Sequence, residues 1–423
     1  MLETEAAPLI EKHYRWNFTV NVLDGATFWF GMSFLSSAVI LPLFVSHFAS
    51  SPVLIGLIAF LTAAGPLLPQ LLVAKAVAHA PRKIVFPAYI GFFVERLPLI
   101  ILPAAIWLLA DGPPVWALTV FFILYAWHCG GVGVILVGWQ DLIAKIIPAD
   151  RRGRFFGISN FIGNGTGVLG ALALPFILLA SDFHTGFTLA FSVAALCMLA
   201  SWGFLLLTRE PAVESSLPAS TWLDYLARLP SIVRLDGNFR RFLVSQSLTA
   251  LSGMASGFFL VHAVRIGSLS DAQAGAFTVW LQAGLALANL GFGFLADRFG
   301  HRRGLEWGLL LNVGSLLLAW LLAAPWAFSL IFFLRGAMSA AQFISGSALV
   351  YEFSAAEDRA VYLGLANTIP GLVGALAPLL GGFLGGLLGY PMLFAISSVV
   401  ALAGWAVYRF GVNDPRATKI GRD

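Results

Sequence analysis

Long apolar stretches are the feature that most limits what this chain can fold into. Of its 423 residues, 59% are hydrophobic and 11% are charged, whereas about 25% are charged in a soluble domain. A helix that crosses a bilayer needs about 20 mostly apolar residues. Twelve stretches fit, numbered here span one to span twelve: Phe18–Phe48, Val53–Ala78, Ile84–Ala110, Val115–Ile143, Phe155–Ala180, Phe187–Leu207, Arg241–Val264, Ala272–Ala296, Leu305–Ala324, Trp326–Phe353, Val361–Leu388 and Met392–Tyr408. The sequence therefore predicts an all-α polytopic membrane protein and disfavours a soluble enzyme, a nucleic-acid binder and a disordered chain.

The positive charges indicate how the spans are oriented. With the N-terminus inside, all but three of the 25 Lys and Arg residues fall on the cytoplasmic side: Arg96 and Arg335 lie within spans, and Arg265 lies outside. The positive-inside rule then places both termini in the cytoplasm. We therefore expect a multi-pass protein of the cell membrane, plasma or inner.

The longest polar stretch divides the chain into two sets of six spans. It predicts an N-terminal six-helix bundle over 1–208, a cytoplasmic central loop over 209–240 and a C-terminal six-helix bundle over 241–423. In the loop, Trp222, Leu226, Leu229 and Val233 recur at helical spacing, which predicts a short interfacial helix. An ordinary solvated linker is the alternative.

Two loops suggest that the halves are repeats. The loop before span five contains Asp150-Arg-Arg-Gly-Arg-Phe-Phe-Gly157, and the loop before span eleven contains Glu357-Asp-Arg-Ala-Val-Tyr-Leu-Gly364. Internal repeats of this kind are typical of secondary transporters, in which two bundles move about a central site.

The loop after span eight carries a more specific motif. It reads Gly293-Phe-Leu-Ala-Asp-Arg-Phe-Gly-His-Arg-Arg303 and resembles the signature loop of the major facilitator superfamily. The first-half copy, after span two, is degraded, because Lys75 stands at the acid position. The resemblance covers essentially the whole chain. It implies a fold of two pseudo-symmetric six-helix bundles that alternate access to a central cavity.

The resemblance also implies a gate on the cytoplasmic side. Asp297 would dock near Arg154 at the start of span five and close that side, with a plain loop staple as the alternative reading. Asp141 and Glu352, which precede the two repeated loops, would pair with Arg152, Arg154 or Arg359. The predicted gate comprises Asp141, Arg154, Gly293, Asp297, Arg298, Gly300, Glu352 and Arg359.

Ionisable side chains within the spans are the main candidates for function, because each costs roughly 3 kcal/mol or more in a bilayer. On span one, Asn17, Asn21 and Asp24 share one helical face, and the resemblance implies that this span lines the cavity. Asp24 is a candidate proton carrier or cation site. A fixed ion pair with Arg96, or an acid in a wet cytoplasmic vestibule, are the alternatives.

Spans three and four add further titratable groups. Neighbouring residues on a helix point about 100° apart, so Glu95 and Arg96 are not expected to pair with each other. Glu95 would need another partner or a proton. His128, near the middle of span four, is a candidate proton carrier or a histidine held in place by hydrogen bonds.

Span ten carries Arg335 near the membrane midplane, with Gln342 on the same face. An arginine there suits an anionic or carboxylate-bearing substrate, and a salt bridge to one of the buried acids is the alternative. The remaining polar candidates lie on spans five and eight, namely Asn160, Asn164, Gln282 and Asn289.

These features predict a secondary active transporter of a small organic solute, coupled to protons and working towards efflux. Uptake of an organic anion, and a non-transporting sensor or lipid scramblase on the same scaffold, are the alternatives. No Gly-x-x-x-x-Gly-Lys-Ser/Thr loop is present, which disfavours ATP-driven transport. We expect no enzymatic activity, no cofactor, no metal site and no nucleic-acid partner, and a monomer embedded in the lipid bilayer.

Overall fold

A computed structural model of the chain describes residues 2–49, 51–109, 112–148, 151–211, 233–322, 324–353 and 359–414. The described residues are helical in every span. Six spans are single helices: span four is Pro114–Ile146, five Arg152–Leu179, six Phe183–Leu206, nine His301–Leu321, eleven Arg359–Leu388 and twelve Tyr390–Gly411. The predicted interfacial helix at 222–233 lies almost wholly outside the described residues.

The other six spans are interrupted, and two of them are divided into two separate helices each. Span one is Leu2–Ser33 followed by Ile40–Phe48, and span two is Pro52–Ala64 followed by Leu67–His79. Ten helices in the described residues are long and apolar enough to cross a membrane, and the pieces of spans one and two are not among them. The break in span two falls at Gly65-Pro66, where proline lacks the amide hydrogen that a continuous helix requires. The sequence predicts one membrane-spanning helix from each of these two stretches, spans one and two.

The remaining breaks change the helical turn without ending the span. Span three contains π-helical turns over Val85–Ile90 and Phe92–Arg96 before Leu97–Leu108, and span ten contains one over Gln342–Gly346 between Ala327–Ala341 and Ser347–Phe353. Span seven is Gly237–Ser252 and Phe258–Gly267, and span eight is Asp271–Gly275 and Phe277–Phe299. π-Helical turns are rare and frequently occur at functional sites. Both π-helical spans contain candidate site residues.

The helices form two compact units, which follow the two halves of the sequence except at two helix starts. Unit 1 comprises Met1–Ser50, Leu61–Pro218 and Asp271–Thr278, and unit 2 comprises Ser51–Phe60, Ala219–Ser270 and Val279–Asp423. The first turns of span two thus belong to unit 2, and the first turns of span eight belong to unit 1. In unit 1, Leu174 and Leu178 of span five pack beside Gly275.

Each unit has an apolar core built from the same five spans of its half. In unit 1, Val22, Ile84, Leu142, Phe155 and Leu205 come from spans one, three, four, five and six. In unit 2, Phe242, Leu305, Leu349, Leu365 and Tyr408 come from spans seven, nine, ten, eleven and twelve. All ten side chains are less than 10% exposed. The repeat seen in the loops therefore extends to how each unit packs.

Candidate functional site

Spans three and four approach closely enough to place three titratable side chains together in unit 1. A Cβ atom on Gly131 would lie only 2.0 Å from the carbonyl oxygen of Val94, so this crossing requires glycine. Next to it, Nδ1 of His128 lies 3.1 Å from the carbonyl oxygen of Glu95. His128 is 2% exposed. This contact corresponds to the predicted alternative of a histidine held in place.

Glu95 and Arg96 form an ion pair with each other, contrary to the expectation from helical spacing. Nη1 of Arg96 donates to Oε2 of Glu95, and the two side chains are 2% and 3% exposed. Both residues lie in the π-helical turn Phe92–Arg96, where the ordinary α-helical directions do not apply, and the long arginine side chain folds back. The expectation that they could not pair was therefore wrong.

Asp24 is buried against span six rather than open to a cavity. Its Oδ1 accepts a hydrogen bond of 2.6 Å from the hydroxyl of Ser201. On the same face, Asn17 donates to the carbonyl oxygen of Arg209 at 2.9 Å and Asn21 donates to the hydroxyl of Thr208 at 3.1 Å. The polar face of span one therefore packs inside unit 1, which corrects the expectation that it lines the cavity.

The predicted ion pair between Asp24 and Arg96 does not form, although the two groups interact through their charges. Arg96 is engaged by Glu95, and no ion pair joins it to Asp24 within the described part of unit 1. The charges of both Arg96 and Glu95 act on the Asp24 carboxylate. Spans one, three, four and six thus share one buried polar network.

Arg335 occupies a second buried network, in unit 2. Its Nη1 donates to Oδ1 of Asn312 on span nine, and its Nη2 donates at 2.8 Å to the hydroxyl of Ser256 on span seven. Asn312 in turn donates at 2.9 Å to the hydroxyl of Ser252. All these partners are neutral. No carboxylate lies within ion-pair distance of Arg335 among the described residues of unit 2.

The other predicted polar residues of the site are half-buried. Asn289 on span eight donates at 2.8 Å to the carbonyl oxygen of Leu285, one turn earlier in its own helix. Gln342 lies in the π-helical turn of span ten, and its Oε1 has no hydrogen-bond partner within the described residues. Asn160, Asn164 and Gln282 are half-buried on spans five and eight.

The predicted gate residues of the first half are partly described. Oδ2 of Asp141 lies 3.7 Å from Nζ of Lys83, because residues 83–84 at the start of span three lie beside the end of span four. The side chain of Arg152 lies outside the described residues, so its pairing with Asp141 stays a prediction. Arg154 is exposed at the start of span five, where it lines a cavity with Arg15.

Glu210 is a buried, fully engaged acid that was not among the residues predicted from the sequence. Its two carboxylate oxygens accept from the backbone N–H groups of Lys83 and Ile84, at 2.7 and 2.9 Å, and Nζ of Lys145 donates to it at 2.7 Å. Its side chain is 1% exposed. An acid directly after span six, followed by Pro211, was the only signal, and that signal also fits an ordinary linker.

The structure describes part of the predicted gate in the second half, including the loop between spans eight and nine. Gly300 has φ of 85°, the left-handed region that glycine favours. Arg298 is exposed and lies over the ring of Phe299, at 5.4 Å from the ring centroid. Gly293 and Glu352 are half-buried in spans eight and ten. The side chains of Asp297 and Arg359 lie outside the described residues, so the predicted docking of Asp297 stays a prediction.

Arg302 in the same loop ties span nine to span twelve. Its Nε donates at 2.9 Å to the carbonyl oxygen of Val412, and its Nη2 donates at 3.1 Å to that of Arg409. These carbonyls belong to the end of span twelve, where cationic groups are favoured by the helix dipole. Arg302 thus stabilises unit 2 from within.

Comparison with known proteins gives a family model for the second half of the chain and a fold for nearly all of it. Residues 242–422 match the family model described as Major Facilitator Superfamily. Among solved structures, a D-xylose–proton symporter matches with a TM-score of 0.68 and 16% identity, over 94% of this chain and 98% of that one. The chain has the major facilitator fold. This confirms the resemblance drawn from residues 293–303 and the predicted twelve-helix architecture.

Two further structures with the major facilitator fold are similar over nearly the whole chain. A nucleoside transporter matches with a TM-score of 0.66 and 15% identity, over 92% of this chain and 98% of that one. A bacterial homolog of the human lysosomal transporter Spinster, in an inward-facing conformation, matches with a TM-score of 0.65 and 15% identity, over 93% and 96%. No curated protein matches at the sequence level. The fold and the ten apolar helices among the described residues indicate a multi-pass membrane protein.

Proposed function

We propose that the chain is a secondary active transporter whose solute is a small organic anion. The observation that carries this proposal is the set of partners of Arg335. Its guanidinium contacts the neutral groups of Asn312 and Ser256, and no carboxylate of the described part of unit 2 balances its charge. A charged group within a bilayer costs roughly 3 kcal/mol or more. A carboxylate or similar anion on the solute would supply the missing charge through paired hydrogen bonds.

Coupling to protons is the second part of the proposal, and Asp24 is its carrier. Glu95 is already neutralised by Arg96, and His128 is held by a backbone carbonyl. The carboxylate of Asp24 has a hydroxyl as its hydrogen-bond partner, so a proton can be added to it without breaking an ion pair. Because Asp24 packs against span six, protons would reach it through changes in the packing of unit 1 during the transport cycle.

Efflux is the direction that we propose. A chain with 36 Phe and 13 Trp residues and few charges suits a solute that combines an anionic group with an apolar body. Uptake of the same class of anion is the second candidate, and Arg335 favours it equally. Direction therefore has to be measured separately from binding.

A thermal-shift screen of the purified protein tests the substrate class, because a ligand that binds the folded state raises its melting temperature. We expect aromatic carboxylates to stabilise the wild type and not Arg335→Gln, and organic cations to stabilise neither. Arg335→Lys keeps the charge and provides a folded variant should glutamine disturb unit 2. Arg265→Gln removes an arginine that lies over the ring of Tyr390, at 5.1 Å from the ring centroid, and serves as the matched control. Equal stabilisation of wild type, Arg335→Gln and Arg335→Lys would contradict the proposal.

Flux in proteoliposomes tests coupling and direction. With a stabilising anion as the solute, an imposed pH gradient is expected to drive flux in the wild type, and Asp24→Asn is expected to abolish that dependence. The sign of the gradient that drives loading identifies export or uptake. Binding of the anion without any flux, at either sign of the gradient, would contradict transport and favour the sensor or scramblase reading.

A further inference from the structure

A cavity with three arginines opens at one end of unit 1, away from the buried networks. It has a volume of about 630 Å³ and is lined by Tyr14, Arg15, Phe18, Thr19, Arg151 and Arg154. The first four belong to span one, and the arginines 151 and 154 stand at the start of span five. Sites for small organic ligands commonly have volumes of about 300–1,000 Å³. The cavity is therefore large enough for a charged group together with an organic body.

Among the described side chains, the three arginines of the cavity have only one acid as an ion-pair partner. Nη2 of Arg151 lies 2.8 Å from Oε1 of Glu11, which accounts for one of the three arginines. Within the described residues, no carboxylate lies within ion-pair distance of Arg15 or Arg154. From Arg151 onwards, the start of span five also has no acidic residue in its first turn and no capping side chain, so the positive end of the helix dipole adds to the same charge.

One side of the cavity is a rigid aromatic surface. The rings of Tyr14 and Phe18 meet edge to face with centroids 5.7 Å apart, and the rings of Phe18 and Phe155 do so at 5.5 Å. The guanidinium of Arg151 lies over the Tyr14 ring, 4.7 Å from its centroid. Arg151 is thus held in place from two sides, by a ring and by Glu11. A ligand would meet a fixed wall and two arginines with free donors.

The geometry points to a binding site for a phosphate ester, with the phosphate on Arg15 and Arg154 and its organic group against Tyr14 and Phe18. Guanidinium groups match the geometry of phosphate oxygens with paired, charge-assisted hydrogen bonds. A bare phosphate would leave most of the cavity and the aromatic wall unused. The ester is either a soluble compound or the headgroup of an acidic phospholipid, and both offer the same chemistry. The site is independent of the anion proposed for Arg335.

The test uses the full-length protein in neutral detergent, with phenyl phosphate as the soluble probe and calorimetry as the measurement. We expect Arg15→Gln combined with Arg154→Gln to weaken phenyl phosphate binding by about tenfold or more, since each such contact contributes a charge-assisted hydrogen bond. Arg82→Gln combined with Arg303→Gln removes the same charge outside the cavity and is expected to bind like the wild type. Arg15→Lys combined with Arg154→Lys keeps the charge, loses the paired geometry and should bind with intermediate strength.

The lipid source is tested with the same variants in nanodiscs of phosphatidylcholine, with and without phosphatidylglycerol. Stabilisation by phosphatidylglycerol that depends on Arg15 and Arg154 but not on Arg82 and Arg303, without binding of phenyl phosphate, identifies the headgroup as the ligand. Binding of phenyl phosphate with the same dependence identifies a soluble ester. The proposal is overturned when the cavity variants, glutamine or lysine, match the control pair with both probes.

Discussion

The hydroxyl of Ser201 donates a hydrogen bond of 2.6 Å to the carboxylate of Asp24 and so joins span six to span one inside unit 1. Both side chains are buried, at 0% and 6% exposed. The bond fixes the direction in which the carboxylate of Asp24 points. Because that direction is towards span six, access to Asp24 from water depends on how unit 1 is packed and not on the open face of span one.

We expect Ser201→Ala to destabilise the protein by about 1.5–3 kcal/mol, because a buried charged acceptor loses its donor. Ser33→Ala is the control, since the Ser33 hydroxyl donates at 2.7 Å to a neutral carbonyl of its own helix, that of Phe30. Its expected cost is about 1 kcal/mol. Unfolding in denaturant by circular dichroism measures both. Equal costs would show that Asp24 does not rely on Ser201.

The crossing of spans three and four predicts different effects for two adjacent glycines. A Cβ on Gly131 would lie 2.0 Å from the Val94 carbonyl oxygen, whereas the nearest atom to a Cβ on Gly130 is 4.0 Å away. Gly131→Ala is therefore expected to cost about 1–3 kcal/mol, as overpacking does. Gly130→Ala is expected to be neutral or to stabilise by up to about 1 kcal/mol, because alanine favours the helix. Melting temperatures of the two variants measure the difference. A larger loss for Gly130→Ala than for Gly131→Ala would refute the close crossing of spans three and four.

The contacts of Glu210 predict a large loss of stability on substitution, although this residue lies outside every span. Glu210→Ala removes the acceptor for two backbone N–H groups and leaves Lys145 without its buried partner. Removing one partner of a buried ion pair costs about 3–5 kcal/mol. Glu11→Ala removes the exposed partner of Arg151 and is expected to cost about 1 kcal/mol or less. Denaturant unfolding that ranks the two variants equally would contradict the role given to Glu210.

The contact between His47 and Asp271 predicts a pH-dependent tether for the start of span eight. In unit 1, Nδ1 of His47 faces the carbonyl oxygen of Leu43 at 3.0 Å and Nε2 faces Oδ1 of Asp271 at 3.2 Å. Both ring nitrogens face acceptors, and both can donate only in the imidazolium form. The tether is therefore strongest at low pH and weakens as the ring deprotonates on raising the pH, because a neutral ring donates from only one of its two nitrogens.

A double-mutant cycle of His47→Gln and Asp271→Asn measures this tether on either side of the ordinary histidine pKa of about 6.5. The two side chains are 32% and 25% exposed, so the coupling energy is expected to be at most about 1 kcal/mol at low pH and smaller at high pH. His184→Gln, which changes a neighbouring histidine in contact with Phe183, is the control and should show no coupling with Asp271→Asn. Coupling that persists unchanged at high pH would count against the imidazolium.

The sequence by itself determined the fold class and the identity of the polar candidates. The low charge and the length of the apolar stretches required a helical membrane protein, because only helices and closed barrels satisfy their backbone hydrogen bonds within a bilayer. The motif at 293–303 added the resemblance to the major facilitator superfamily. The same reasoning selected Asp24, Glu95, Arg96, His128 and Arg335. These residues stand out in a sequence because an ionisable group within a span is costly wherever it points.

Only the tertiary structure decided which of these groups meet. The π-helical turn at Phe92–Arg96 lets Glu95 and Arg96 pair, and helical spacing alone indicated the opposite. The face of span one that carries Asp24 packs against span six, and the partner of Glu210 at Lys83 is 127 positions away in sequence. Periodicity tells which residues share a face of one helix. It does not tell which neighbouring helix covers that face, because that depends on packing between segments far apart in the chain.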